Sequence, residues 1–564
     1  MKLIKNIFTI CVAAGLLTSC DFLECSESDY YSLDQIQGSY DRVKQFVTNV
    51  YGYLPSDFCG IDRDDNGNNG AMQDAATDDA IHVYETSAIQ RFVNGTWSPN
   101  NTIDDVYGKY YKGIHDANYY LENMLGLDFK DWEYGDYYEE KIKNYTNFEY
   151  EVRLLRAFFY FELVKRYQNV PLVTTVQDLE TVNNLQPAKA EDIFNFIIQE
   201  CNDLALKLPV NYEDFWGQEY GRVTKGAALA LKSRAALYAA SPLFNSTTDQ
   251  SKWVKAAEAA YELIGTASVL GYDLDQNFAN LFGAKNNNSK EVILIRPTGE
   301  NNGFEASNFP MGVKGGKTTT CPTENLASAF EMKDGVPFDW NDPMMRQNPY
   351  ENRDPRFYQT IVYNGMKWPA DKPVEIYEGG SNGLPLLNAT TTGYYLRKYV
   401  NNNISFEPGA PTAKAHHNWI LFRYAEVLLN YAEAMVNAYG DINKTTEKCK
   451  MSALQAINAV RGRKSVEMPA LSSTLTPAEF LEKVKHERRV ELAFEGHRFW
   501  DLRRWKDLDE SKNIYGVKIV KNGDEITYTK SLMEERKIED KLYFYPIANT
   551  ELFKNGNLKQ NPGW

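Results

Sequence analysis

Cysteine is sparse and irregularly placed in this chain, with seven in 564 residues. Cys11 and Cys20 fall in the N-terminal segment; Cys25, Cys59, Cys201, Cys321 and Cys449 remain, odd in number and widely spaced. That spacing suggests neither a disulfide framework nor a zinc pattern, although an oxidising compartment leaves room for one bridge. A membrane-spanning run is missing too. The apolar stretch at residues 7–17 covers about 11 positions, where a hydrocarbon core needs about 20. Positive charge is in deficit: 61 Lys and Arg stand against 76 Asp and Glu, a net charge of -15. This argues against nucleic acid as a partner and against electrostatic adhesion to anionic lipid. No Pro/Gly/Ser-rich linker or low-complexity block divides the chain. Length alone suggests about three or four domains, but an undivided composition points to one large fold with a big insertion.

What is present begins with an address. Lys2 and Lys5 precede the apolar stretch, and Leu17, Thr18, Ser19 and Cys20 close it. Basic start, apolar stretch and small residues in that order make a secretion signal. The Leu-Thr-Ser-Cys ending resembles the bacterial lipobox, in which the cysteine is acylated and becomes the first mature residue. One acyl chain holds a protein only marginally, so the multiple acylation implied by a lipobox is what provides a stable anchor. Residues 1–19 are therefore expected to be a signal peptide and residues 20–33, acidic and polar, a lipidated tether.

From residue 34 the pattern is helical. Ile36, Tyr40, Val43, Val47, Val50, Tyr51 and Leu54 keep helical spacing, as do Ile103, Val106, Tyr107, Tyr110, Tyr111, Ile114 and Leu121. Thr102 and Asp105 before the second stripe resemble a capping box. Further helices are expected at about 147–168, 190–208, 224–241, 251–266, 418–439, 448–462 and 477–505. Ala-rich helix pairs separated by short breaks suggest a tetratricopeptide-type array, although no strict 34-residue signature is visible. Between about 270 and 415 Gly, Asn and Pro become frequent, with short β-like runs at 291–296, 359–363 and 394–400. Asn522 and Gly523, between apolar runs at 517–520 and 526–528, signal a hairpin. The expected fold is mostly α: a tetratricopeptide-like scaffold carrying an irregular, loop-rich lobe with short strands.

Catalytic motifs fail on context. Gly379-Gly380-Ser381-Asn382-Gly383 fits G-x-S-x-G, but Pro385 follows where a nucleophile elbow needs a helix. Gly312 and Gly316, before Lys317 and Thr318, lie one residue too close for a phosphate loop. His486-Glu487 would open a zinc motif, but position 490 is valine. His82, one turn after Asp78, reads as a surface contact. Asp62 to Gly67 matches the start of a calcium loop, yet position twelve is Gln73 rather than a bidentate glutamate. Glu487, Glu491 and Glu495 recur every four residues among Arg488, Arg489, Arg498, Arg503 and Arg504. Paired carboxylates are glycosidase equipment, but surrounding arginines would lower their pKa values. A structural ion-pair lattice fits better than a general acid.

Several stretches together resemble the RagB/SusD family of Bacteroidota surface lipoproteins: LLRAFFYFELVKRYQNVPLV (154–173), VTKGAALALKSRAALYAASPLFN (223–245), CPTENLASAFEMKDG (321–335), FRYAEVLLNYAEA (422–434), ERRVELAFEGHRFWDLRRW (487–505) and YFYPIANTELFKNGNLKQNPGW (543–564). In this order, after a lipobox, they cover nearly the whole mature chain. The resemblance implies a single SusD-like domain at 34–564, anchored through Cys20 to the outer face of the outer membrane. It further implies a non-enzymatic lid on a SusC-like, TonB-dependent transporter that captures oligosaccharides and hands them on. No cofactor, metal or nucleic acid is expected. The other roles weighed are a lid for peptides or another nutrient, a surface glycoside hydrolase, and a ligand-free scaffold.

The family carries no transferable sugar motif, so candidate contacts come from chemistry. A sugar site needs an exposed aromatic platform beside groups that hydrogen-bond hydroxyls. Trp97, in the polar loop 94–101, is the first choice. Asp64, Asn66 and Asp74 would supply acceptors from the preceding loop. Trp340 and Arg397 would join from the irregular lobe.

Overall fold

The structure is a computed structural model and describes residues 31–61, 70–215, 217 and 219–564. The expected signal peptide, Cys20, most of the tether, Asp64 and Asn66 lie outside the described residues.

Helices form two connected layers. α1 (Tyr40–Tyr51) buries Tyr40, Val43, Val47 and Val50, one face of an amphipathic helix. It packs on α2 (Tyr107–Asn123) and α3 (Tyr138–Tyr167). From Leu154 onward every residue of α3 is buried, so its second half is a central rod rather than an amphipathic surface helix. α4 (Ala190–Leu204), α5 (Lys225–Ala240) and α6 (Gln250–Leu270) follow, each packed on the one before, with α4 on α3. Buried Ala227, Ala228, Ala235 and Ala236 on α5, and Ala256, Ala257 and Ala260 on α6, let the two axes approach closely.

A loop-rich stretch with five strands and short helices follows. β1 (Ala80–His82) pairs with β3 (Thr320–Pro322), and β2 (Val292–Asn301) with β6 (Ala415–Arg423); β4 (Ile361–Val362) pairs with β5 (Tyr395–Leu396), all antiparallel. The six-residue α7 (Gly303–Asn308) leaves the end of β2. The second helical layer is α8 (Tyr424–Tyr439), packed on α6, with α9 (Ala453–Arg461) and α10 (Pro477–Leu492) against it. α11 (Arg498–Trp505) and the hairpin β7 (Asn513–Asn522) and β8 (Glu525–Glu535) end the regular structure. No helix among the described residues is long and apolar enough to cross a membrane.

Five local expectations are corrected. The helix expected from 418 starts only at Tyr424, because 415–423 is the strand β6; a short apolar run such as Trp419 to Phe422 does not distinguish strand from helix by period. The helix expected over 477–505 is two, broken where Phe494 and Gly496 take positive φ. Thr102 forms no capping box: α2 starts at Tyr107, whose amide donates to Asp105 Oδ1 at 3.3 Å. His82 is buried in β1, not on the surface. The hairpin forms, but with Asn522 opposite Glu525, so its two-residue loop is Gly523-Asp524. Cys59, Cys201, Cys321 and Cys449 are all buried, the last three as free thiols.

The glutamate ladder of α10 is a buried ion lattice whose partners come from distant segments. Glu491 accepts from Arg423 at 2.7 Å and from Arg463 and Arg356 at 2.8 Å. Glu487 accepts from Arg356 at 2.5 Å and Arg461 at 2.7 Å. Glu495 takes Arg423 at 2.7 Å and Lys398 at 2.8 Å, and Glu291 takes Arg423 at 2.6 Å. Burial works to raise the carboxyls of Glu491 and Glu495, but the surrounding cations override it and hold both below the usual range. The arginines adjacent in sequence go elsewhere: Arg488 and Arg504 to Asp501, and Arg489 and Arg498 to Asp78.

Candidate functional site

The described candidates from sequence do not converge. Trp97 is 2% exposed, so it is no open platform. Its ring packs edge-on against Phe92, Tyr545 and Trp564 at centroid distances of 4.7, 4.8 and 5.0 Å. The polar residues that made its loop look exposed bond locally instead. Asn94 Oδ1 accepts from the Thr96 amide at 3.0 Å, and Asn101 Nδ2 donates to the Thr96 carbonyl at 2.9 Å. Asp74 is 1% exposed. Trp340 is half-buried and donates from Nε1 to Glu324 at 2.6 Å; Arg397 is half-buried and donates to the Tyr358 carbonyl. None of these four lines either of the two large cavities.

The larger cavity, about 610 Å3, is a cleft between the first helical layer and the loop-rich stretch. Its volume is in the range of small-molecule sites, about 300–1,000 Å3. Lys109 enters from α2, Glu162, Lys165 and Arg166 from the buried end of α3, and Arg296 and Thr298 from β2. β6 adds His417 and Trp419, while Glu495 and His497 come from the break between α10 and α11. The ion lattice thus has a positional effect, because Arg423 and Lys398 fix Glu495 from behind the cleft wall.

The charges inside are mostly spoken for. Glu162 bridges Lys165 and Arg166, each at 2.6 Å, and Arg166 also reaches Asp104 at 3.1 Å. Burial opposes ionisation of Glu162, yet the two cations hold its carboxyl at about 2. Burial, only partly offset by Glu162, pulls the Lys165 ammonium down to about 7. Lys165 and Arg166 lie 4.4 and 4.6 Å from the Trp500 ring centroid. His417 meets Glu305 at 2.9 Å. Lys109 forms no ion pair among the described residues, and burial, Arg296 and Arg166 lower its pKa. Its exposed ammonium lines the cleft. No group of His, Cys, Asp and Glu among the described residues could hold a metal ion.

Sequence reasoning missed Lys109 because it sits off the apolar stripe of α2 and looks like any solvated lysine. Arg296 ends a run already marked as β-like, and a charge closing the apolar stretch Val292 to Ile295 was the available signal. Glu162 and Lys165 fall in the buried, aromatic-rich second half of α3, where buried charge itself marks a site.

Asp74 has a different significance. Neither carboxylate oxygen has a hydrogen bond of ordinary geometry among the described residues. Burial first, then the charge of Asp79, pushes its carboxyl up to about 7 against the pull of the Phe494 amide and Lys398. Between the ordinary aspartate value and 7 the folded chain keeps a proton that the unfolded chain has released, so stability falls as pH rises through that window. Asp74→Asn should therefore stabilise the fold at pH 8 and have almost no effect at pH 4. The amide still lacks partners and retains part of the desolvation cost, so the expected gain is about 2 kcal/mol. Urea unfolding at the two pH values measures it; an equal shift at both would refute the assignment.

Residues 281–564 match the SusD family, and residues 21–237 match a family described as starch-binding associating with outer membrane. SusD-like protein P38 of Formosa agariphila is 23% identical over 540 residues, covering 89% of this chain and 92% of its own. A SusD-like carbohydrate binding protein of Bacteroides fragilis has a solved structure that superposes with a TM-score of 0.74 at 27% identity, over 93% of this chain and 100% of its own. A laminarin binding SusD-like protein shares the fold at a TM-score of 0.62 and 21% identity, over 93% of this chain and 99% of its own. The first match spans half the chain, and the mostly helical architecture with short strands agrees with it: the chain belongs to the SusD family.

Proposed function

We propose that the chain is a surface lipoprotein, anchored through Cys20 to the outer membrane, that binds oligosaccharides and delivers them to a SusC-like, TonB-dependent transporter. The observation that carries the binding step is the 610 Å3 cleft, in which aromatic rings, amide and hydroxyl groups and the unpaired Lys109 surround one space. Sugar rings present apolar faces to aromatics and hydroxyls to charged or amide groups. Carbohydrate binding in the Bacteroides fragilis relative supports the same ligand class. Two of the cleft's four carboxylates, Glu162 and Glu495, speak against a role as general acid. A glycosidase needs one carboxyl protonated near neutral pH, whereas Glu162 is held at about 2 and Glu495 also below its usual range.

Calorimetric titration of the soluble form starting after Cys20 against a glycan panel, with product analysis, is the test. One glycan class should bind uncleaved, and Lys109→Ala should weaken it about tenfold, the loss of one charge-assisted hydrogen bond. Cleaved product, or failure of every glycan to bind, would overturn the reading.

A further inference from the structure

Of six exposed aromatic side chains among the described residues, four belong to two adjoining segments: Tyr31 at one, and Trp132, Tyr134 and Tyr137 on the loop joining α2 to α3. Trp132 is 61% and Tyr134 96% exposed. The loop beneath them is well fixed. Phe129 is buried at its base and meets Tyr40 and Tyr145 edge-on at 6.1 and 5.1 Å. The Leu127 amide donates to the Tyr145 hydroxyl at 2.9 Å, and the Tyr138 hydroxyl to the Asp128 carbonyl at 2.5 Å. The Gly135 amide closes a turn onto the Trp132 carbonyl at 2.8 Å, with Tyr134 inside it. A held backbone thus turns large rings outward.

The rings stand where the chain departs toward Cys20. Trp132 Nε1 donates to the Gly38 carbonyl at 3.1 Å. Gly38 ends the helical turn Leu33–Gln37, five residues and about 7.5 Å long. Arg42 folds this end together: it donates to the Gln35 carbonyl at 2.8 Å and lies 4.0 Å from the Tyr31 ring centroid. Tyr31 is 11 residues from Cys20, a reach of at most about 40 Å. If Cys20 is held in a lipid leaflet, this face is the part of the fold kept nearest to it. Tethering raises the local concentration of the surface, so a contact too weak to hold a free protein is still occupied.

The chemistry of the face selects the kind of surface. Asp131, Glu133 and Asp136 are exposed among the rings, and Asp128 is matched by Lys130 at 3.0 Å. The loop is therefore acidic, and electrostatic attraction to anionic lipid does not hold it down. Trp and Tyr combine an apolar ring with a polar tip and settle at the headgroup level of a bilayer. We propose that this face seats on the headgroup layer of the membrane that holds Cys20, with Trp132 and Tyr134 as its contacts. The seat takes the anchor at Cys20 from the proposed function; the position of the rings does not depend on it.

The test attaches the mature chain chemically, so that it does not depend on acylation. In a Cys25→Ser background the other described cysteines are buried, and Cys20 is coupled to a maleimide lipid in phosphatidylcholine vesicles. Phosphatidylcholine brominated high on its acyl chains is the quencher of tryptophan emission. The coupled chain should be quenched, and Trp132→Phe should lose that quenching. Tyr134→Asp should reduce it at least twofold with an unchanged unfolding curve, because a side chain this exposed supports no core. An unquenched coupled chain, or quenching that either variant leaves intact, overturns the seat. The mass of the N-terminal peptide from cells tests acylation of Cys20 separately, so a failed anchor and a failed seat are told apart.

Discussion

Arg423→Met is expected to destabilise the fold by at least about 3–5 kcal/mol, the usual result of leaving buried charge without its partner. Arg423 is fully enclosed and faces three carboxylates: Glu291, Glu491 and Glu495. Removing it leaves Glu495 to Lys398, and Glu291 to Arg463 alone. Glu491 retains Arg356 and Arg463. Arg423→Lys should rescue little, because a single ammonium cannot present the planar fork that reaches three acceptors. Chemical unfolding followed by circular dichroism gives the number. Lys367→Ala is the control, since Lys367 and Asp371 pair with side chains 64% and 89% exposed and should leave the midpoint unchanged. If Arg423→Met unfolds at the wild-type midpoint, the lattice is not what holds the two helical layers to the loops.

The second large effect concerns Trp97. Trp97→Ala should cost about 3–5 kcal/mol, as other large-to-small aromatic truncations in cores do. It removes a ring enclosed by Phe92, Tyr545 and Trp564. Glycan affinity of the molecules that remain folded should not change, because Trp97 lines neither cavity. Unfolding and titration on one preparation separate the two effects. A variant with wild-type stability and abolished binding would return Trp97 to the site.

These two residues also show how far sequence alone carried. Helices were legible where a stripe of apolar residues kept one face, as in α1, and where alanine marked close packing, as in α5 and α6. Glu487, Glu491 and Glu495 were readable as an ion lattice, because three carboxylates one turn apart need counter-charge. Their partners were not readable: Arg423, Arg356 and Arg463 are remote in sequence, and only tertiary structure brings them in. Trp97 misled for a related reason. Asn94, Thr96 and Asn101 satisfy one another, so the polarity around the ring says nothing about where the ring points. The cleft was hidden because its walls come from α2, α3, β2, β6 and the break before α11, none of which carries a local motif.

The span of the lattice sets the order in which the chain is completed. Glu291 precedes Arg423 by 132 residues and Arg463 by 172, and Arg356 precedes Glu487 by 131. A chain emerging N-terminus first holds these charges hydrated and unmatched until its last hundred residues arrive. Contacts this distant close late and slowly. Docking of the loops against both helical layers is thus a terminal event. A chain shorter than about 495 residues lacks Glu495, and with it the contact that joins Lys398 and Arg423.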